Sequence, residues 1–70
     1  MHLSECKQGI YKIVDITSNE CMKNHLSNMG IYIGNKITLL RNTNRYPILI
    51  KVMGTTLTIG RGRAYHIIVE

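Results

Sequence analysis

Seventy residues at 8.0 kDa hold one hydrophobic core, since two cores could not each bury enough surface at that length, so residues 1–70 are expected to form a single domain. Hydrophobic types at 44% against charged types at 19%, with a single Pro, exclude a disordered chain. Nine Lys and Arg against four Asp and Glu give a net charge of +5, which admits an acidic protein, a nucleic acid or an anionic surface as partner; the basic residues are dispersed, with Arg41 and Arg45, and Arg61 and Arg63, the densest groupings.

With neither Phe nor Trp, the core must come from Ile, Leu, Val and Met, and β-branched aliphatics suit sheets. The run from Gly9 to Ile16 reads as a strand. Its apolar spacing changes parity after Ile13, which predicts a bulge or strong bend. Thr17 followed by Glu20 has the spacing of a capping box and predicts a helix start. Met22, His25, Leu26 and Met29 then recur at helical spacing as one core-facing stripe. Gly30 ends the helix as a residue able to take positive φ, with Ile31 packing back on the last turn. Ile37 and Leu39 share a strand face, as do Ile48, Ile50 and Val52, with Leu49, Lys51 and Met53 opposed to them. Arg41 to Pro47 is a polar loop whose Pro47 can open the next strand. Gly54-Thr55 supplies a tight turn into Leu57 and Ile59. Gly60-Arg61-Gly62-Arg63 breaks the pattern as a bend, and Ala64, Ile67 and Val69 close the chain with an apolar face. Five short strands with one main helix after the first hide their apolar faces best by curling into a small barrel, which would also remove exposed edges.

Two cysteines, with neither a signal peptide nor an apolar stretch of membrane-spanning length, point to a reducing, cytoplasmic setting with free thiols and no membrane insertion.

The order of these signals resembles the FeoA family. The residues that carry the likeness are Leu3, Gly9, Tyr11 and Ile13; Leu26-Ser-Asn-Met29-Gly30-Ile31 with Gly34; Ile37 and Leu39; Pro47 to Ile50; and Gly54, Leu57, Ile59, Arg61, Ala64, Ile67 and Val69. The resemblance implies a mainly β, SH3-like five-stranded barrel. It also implies a non-enzymatic accessory protein of bacterial ferrous iron uptake that docks on the cytosolic region of the FeoB-type membrane transporter. A related barrel forms the C-terminal domain of iron- and manganese-dependent repressors. The chain departs from the family at Asn24 and His25, where Arg is common, and at Ile33, where Pro is common.

Particular residues suggest sharper chemistry. His2 and Cys6, and Cys21 and His25, are spaced four apart and could together offer four ligands to Zn²⁺ or Fe²⁺, against the plainer reading of buried thiols. Gly60-Arg-Gly-Arg63 could cradle a phosphate, but no nucleotide fingerprint surrounds it, and a bend with two solvated arginines is the plainer expectation. Tyr46 and Tyr65 beside basic residues could stack on single-stranded nucleic acid. Glu5, Asp15, Glu20 and Glu70 form no local pair and no nucleophile motif is present, so neither an enzyme nor a small-molecule substrate is expected. Met53 and Leu49 beside Lys51 offer an adaptable apolar patch with a basic rim. With Lys23, His25, Arg61 and Arg63 they are the expected partner-binding residues. A nucleic-acid-binding barrel and a transition-metal sensor are the alternative functions.

Overall fold

A computed structural model describes all residues from Met1 to Glu70. A 3₁₀ turn at Leu3–Glu5 precedes β1 (Gly9–Ile16), α1 (Glu20–Asn28), β2 (Lys36–Arg41), β3 (Ile48–Val52), β4 (Thr55–Ile59), α2 (Arg61–Tyr65) and β5 (Ile67–Val69). The five strands form one antiparallel sheet in the order β4-β3-β2-β1-β5. β1 serves two partners: Gly9 to Lys12 pair with β2, and Ile13 to Ile16 with β5. The register shifts between Ile13 and Asp15, where the apolar parity changes, so the bulge turns the second half of the strand toward β5.

The alternating residues converge as the spacing requires. Ile37, Leu39, Ile48, Ile50, Val52, Ile59, Ile67 and Val69 join Leu3, Ile13, Leu26, Ile31 and Ala64 in one core cluster. At about 1.5–3 kcal/mol for each large aliphatic side chain removed from water, this cluster is the main source of stability. The barrel curls without closing. β4 and β5 share no ladder, so the two edges that curling was expected to remove remain.

Several local expectations are corrected. Thr17 lies too early to cap α1; Asn19 is the N-cap and its Oδ1 accepts from the Met22 N–H at 2.8 Å. Thr17 instead meets His66, through its N–H to the carbonyl at 2.8 Å and its hydroxyl to Nδ1 at 3.2 Å. His25 is exposed, and Leu26 alone on α1 is fully buried, with Met22 and Met29 half-buried beside it. The segment from Arg61 is a short helix, not a bend, and it buries Ala64. The helix end follows expectation: Gly30 has φ +90, its N–H donates to the Ser27 carbonyl, and the Ile31 N–H reaches back to Leu26, a Schellman closure with both apolar partners buried.

Asn42, in the β2–β3 loop, ties distant parts together. Its amide donates to the Ser4 and Cys6 carbonyls, both at 2.9 Å, while its oxygen accepts from Arg61. Asn42→Ala is expected to cost about 1–3 kcal/mol, because two part-buried carbonyls lose their donor. Urea unfolding measures it; a loss below about 0.5 kcal/mol would show that water replaces the amide freely.

Candidate functional site

The C-terminal end of α1 and the β3–β4 hairpin enclose a groove of about 450 Å³, lined by Ser27, Asn28, Met29, Gly30, Tyr32, Val52, Met53, Thr55 and Leu57. Each wall has a local cause. The Schellman turn brings Met29 and Gly30 over the sheet, and a two-residue turn places Met53 opposite them. The central turn residues are Met53 and Gly54, one step earlier than the expected Gly54-Thr55, with φ +53 and +77. Positive φ at both positions is the signature of a type I′ hairpin, which matches the twist of the flanking strands.

Met53 therefore stands in the turn, not on the outward face of β3. It is 69% exposed and holds a backbone conformation that Asn or Gly would occupy with less strain. Apolar, exposed and strained together, it is a poor choice for the fold alone. Its Cγ lies close to Gly30: a Cβ built on that glycine would meet it at 2.7 Å. Tyr32 is also exposed, and Leu57 is half-buried in the groove lining.

The remaining expected residues fall in separate places. Leu49 and Lys51 lie on the outer face of β3, where Lys51 stands between Thr38 and Thr56 and Leu49 between Arg41 and Thr58. Lys23 and His25 lie on α1, outside the groove lining. Arg63 is exposed on α2, but Arg61 is not a free cation: it donates to Asn42 and, at 3.4 Å, to the Tyr46 carbonyl. The segment from Gly60 to Arg63, for which a phosphate cradle was the alternative to a bend, is a helical turn whose first arginine binds the protein itself. Tyr46 and Tyr65 do not form one platform either. Arg41 sits 5.0 Å over the Tyr46 ring, and the Tyr65 ring is stacked on His2 at 4.1 Å.

The four proposed metal ligands do not converge. No group of three or more His, Cys, Asp or Glu is placed to hold a metal ion. Cys6 is buried and its Sγ donates to the His2 carbonyl at 3.3 Å, whereas Cys21 is exposed on α1. The spacing of four failed as a guide because only the Cys21–His25 pair lies on an α-helix; Cys6 follows a 3₁₀ turn.

Burial pushes the Cys6 thiol above its ordinary range. A thiol whose folded pKa is raised keeps its contribution below the unfolded pKa and loses it as pH climbs through the folded one. Stability is expected to fall above pH 9.0, with the fall reduced in Cys6→Ala. Thiol labelling at pH 8 should show Cys21 reacting fast and Cys6 slowly; equal rates would contradict the burial.

No helix is long and apolar enough to cross a membrane. The FeoA domain matches residues 1–70 in full. This chain belongs to the FeoA family. A protein of Methanocaldococcus jannaschii named "Putative Fe(2+) transport protein A" is 39% identical over 69 residues, covering 97% of this chain and 83% of that one. A crystal structure of an iron uptake regulatory protein (FeoA) superposes with a TM-score of 0.92 at 31% identity, over 100% of this chain and 95% of that one. The FeoA protein of Chlorobium tepidum gives 0.87 at 28% identity, over 100% and 69%. The manganese-activated repressor ScaR gives 0.89 at 24% identity, over 100% of this chain and 34% of that one, a likeness of fold alone. FeoA is a family of ferrous iron transport accessory proteins, and the mainly β, SH3-like architecture is the one it shares.

Sequence reasoning singled out Met53 but missed the groove it belongs to. Ser27, Asn28 and Tyr32 gave no signal, because the groove depends on how α1 docks against the hairpin. Gly54 between two alternating strands signals a turn, but Met53 at the first central position is not a residue type that marks a two-residue loop, so the turn's register was not legible.

Proposed function

We propose that this FeoA protein acts in the cytoplasm as a non-enzymatic module that docks on the cytosolic region of a FeoB-type ferrous iron transporter and modulates it. The observation that carries the reading is Met53, exposed and held at φ +53 at the mouth of an apolar groove. A flexible thioether beside Met29 and Leu57 can repack around an inserted apolar side chain, and exposed apolar clusters of this kind mark protein contacts. The family's tie to Fe²⁺ transport supplies the class of partner.

Met53→Asn tests it. Asn relieves the backbone strain and is expected to raise stability by up to about 1 kcal/mol. The same change removes the apolar anchor and should weaken binding to the transporter's cytosolic region roughly 5- to 30-fold. Calorimetric titration of the isolated cytosolic region against both proteins reads this. Unchanged affinity, or no binding by the wild type, would remove the groove or the partner from the proposal.

A further inference from the structure

The two edges of the open sheet are treated differently. Along β5, the Val69 N–H donates to the Met1 carbonyl at 2.8 Å, and His2 forms a bridge with Ile68, so the N-terminal segment covers that edge. Nothing covers β4. In an antiparallel ladder, facing residues alternate between exchanging two hydrogen bonds and exchanging none. The two-residue turn makes Val52 and Thr55 an exchanging pair, and the unbroken register repeats this at Ile50–Leu57 and Ile48–Ile59. Thr56 and Thr58 therefore aim their N–H and C=O groups away from β3. No turn, loop or side-chain hydrogen bond reaches either residue.

Exposed edges are normally blunted by Lys, Pro or a bulge. Thr-Thr-Leu-Thr-Ile has none of these; its register is regular over five pairs, and all but Leu57 are β-branched. Thr55 and Leu57 also line the groove, so a strand laid along β4 would turn alternate side chains into it.

Charge selects the occupant. Glu5, Asp15, Glu20 and Glu70 are the only carboxylates, so the stretch from Cys21 to Val69 has none, while it holds seven of the nine Lys and Arg. On the outer face Lys51 stands beside Thr56, and Arg41 lies in the row that runs through Leu49 to Thr58. A second copy of this chain, pairing β4 to β4, would bring a strand with no carboxylate of its own to meet these cations, and another +5. We infer that the free edge of β4 accepts an extended segment of a partner protein as a sixth, antiparallel or parallel strand. Residues of that segment are apolar where they face the groove and acidic on the outer face, which they share with Lys51 across Thr56. This is the backbone-pairing mode of peptide recognition, and it holds whichever protein supplies the strand. It shares the groove with the docking proposal, so the variants must separate the two.

The test uses the full chain labelled with ¹⁵N and the peptide acetyl-Glu-Leu-Glu-Val-Glu-Leu-Glu-amide, with Lys in place of Glu as control. The acidic peptide is expected to slow amide hydrogen exchange at Thr56 and Thr58 and to shift their resonances, and the Lys peptide to do neither. Thr58→Pro deletes an outward N–H that β3 does not use. It should weaken the peptide about tenfold while leaving Met53 and the groove intact; Met53→Asn leaves the edge intact and should retain the protection at Thr56 and Thr58. No binding at millimolar peptide, equal binding of the Lys peptide, or shifts confined to other residues would overturn the inference. So would undiminished affinity in a folded Thr58→Pro, or a free protein that is already a dimer with Thr56 and Thr58 protected. The exchange measurement needs no variant and decides the matter even if Thr58→Pro fails to fold.

Discussion

Leu26→Ala is expected to lower the free energy of unfolding by about 3 kcal/mol, within the range for a fully buried leucine cut to alanine. At roughly 0.05–0.15 kcal/mol per residue, a 70-residue domain has only about 3.5–10 kcal/mol in total, so this one change removes about 30% or more. The melting temperature should fall by about 12–24 °C at 4–8 °C per kcal/mol. The size of the effect follows from how α1 is held. Nine residues are too few for a stable isolated helix, so α1 exists because Leu26 is inserted in the core, with Met22 and Met29 half-buried on either side. Loss of that insertion also loosens Ser27 to Gly30, one wall of the groove. Leu26→Met keeps the volume and should cost less than about 1.5 kcal/mol. Urea unfolding monitored by circular dichroism separates the two. A loss below 1 kcal/mol for the alanine variant would mean that α1 is anchored by its turn and cap instead.

The fold was legible wherever one physical rule acted alone. Alternation located the buried faces of β2, β3 and β5, because a half-buried strand has no other way to sort its side chains. Parity change revealed the bulge in β1. Gly30 marked the helix end because only a residue tolerant of positive φ can close that turn. Legibility failed where two rules competed locally. Thr17 and Asn19 are both competent caps, and the strand pairing that draws Thr17 to His66 decides between them. Gly60 and Gly62 suggested an irregular bend, yet Arg61 finds Asn42 across the fold and one helical turn forms. That contact spans 19 residues and has no local signature. The groove was half legible: an exposed Met next to a turn glycine can be read from sequence, but the approach of α1 to the hairpin cannot. Spacing was least reliable for the His2, Cys6, Cys21 and His25 set, since ligand spacing means little without the element that carries it.

Gly30→Ala is the change expected to damage fold and function together. Gly30 sits at φ +90, where an L side chain is strained. A Cβ there would also lie 2.7 Å from Met53 Cγ and 3.2 Å from Val52 Cγ2, so the hairpin must retreat from α1. Backbone strain of about 1–2 kcal/mol and overpacking of about 1–3 kcal/mol together predict a loss near 3 kcal/mol. Gly34 provides the means to separate them. Its φ is +97 and a Cβ would meet nothing within 4 Å, so Gly34→Ala should show the backbone cost alone. The excess of Gly30→Ala over Gly34→Ala then measures the contact with the hairpin, and adding Met53→Ala to Gly30→Ala should recover most of that excess. Binding provides the second readout. Gly30→Ala displaces Met53 and should weaken the transporter's cytosolic region as Met53→Asn does, although one variant is destabilised and the other stabilised. Two variants with opposite effects on stability and the same effect on affinity would tie the contact to the position of Met53. Equal stability losses at Gly30 and Gly34, with affinity unchanged at both, would show that the hairpin and α1 do not touch closely enough to form the site.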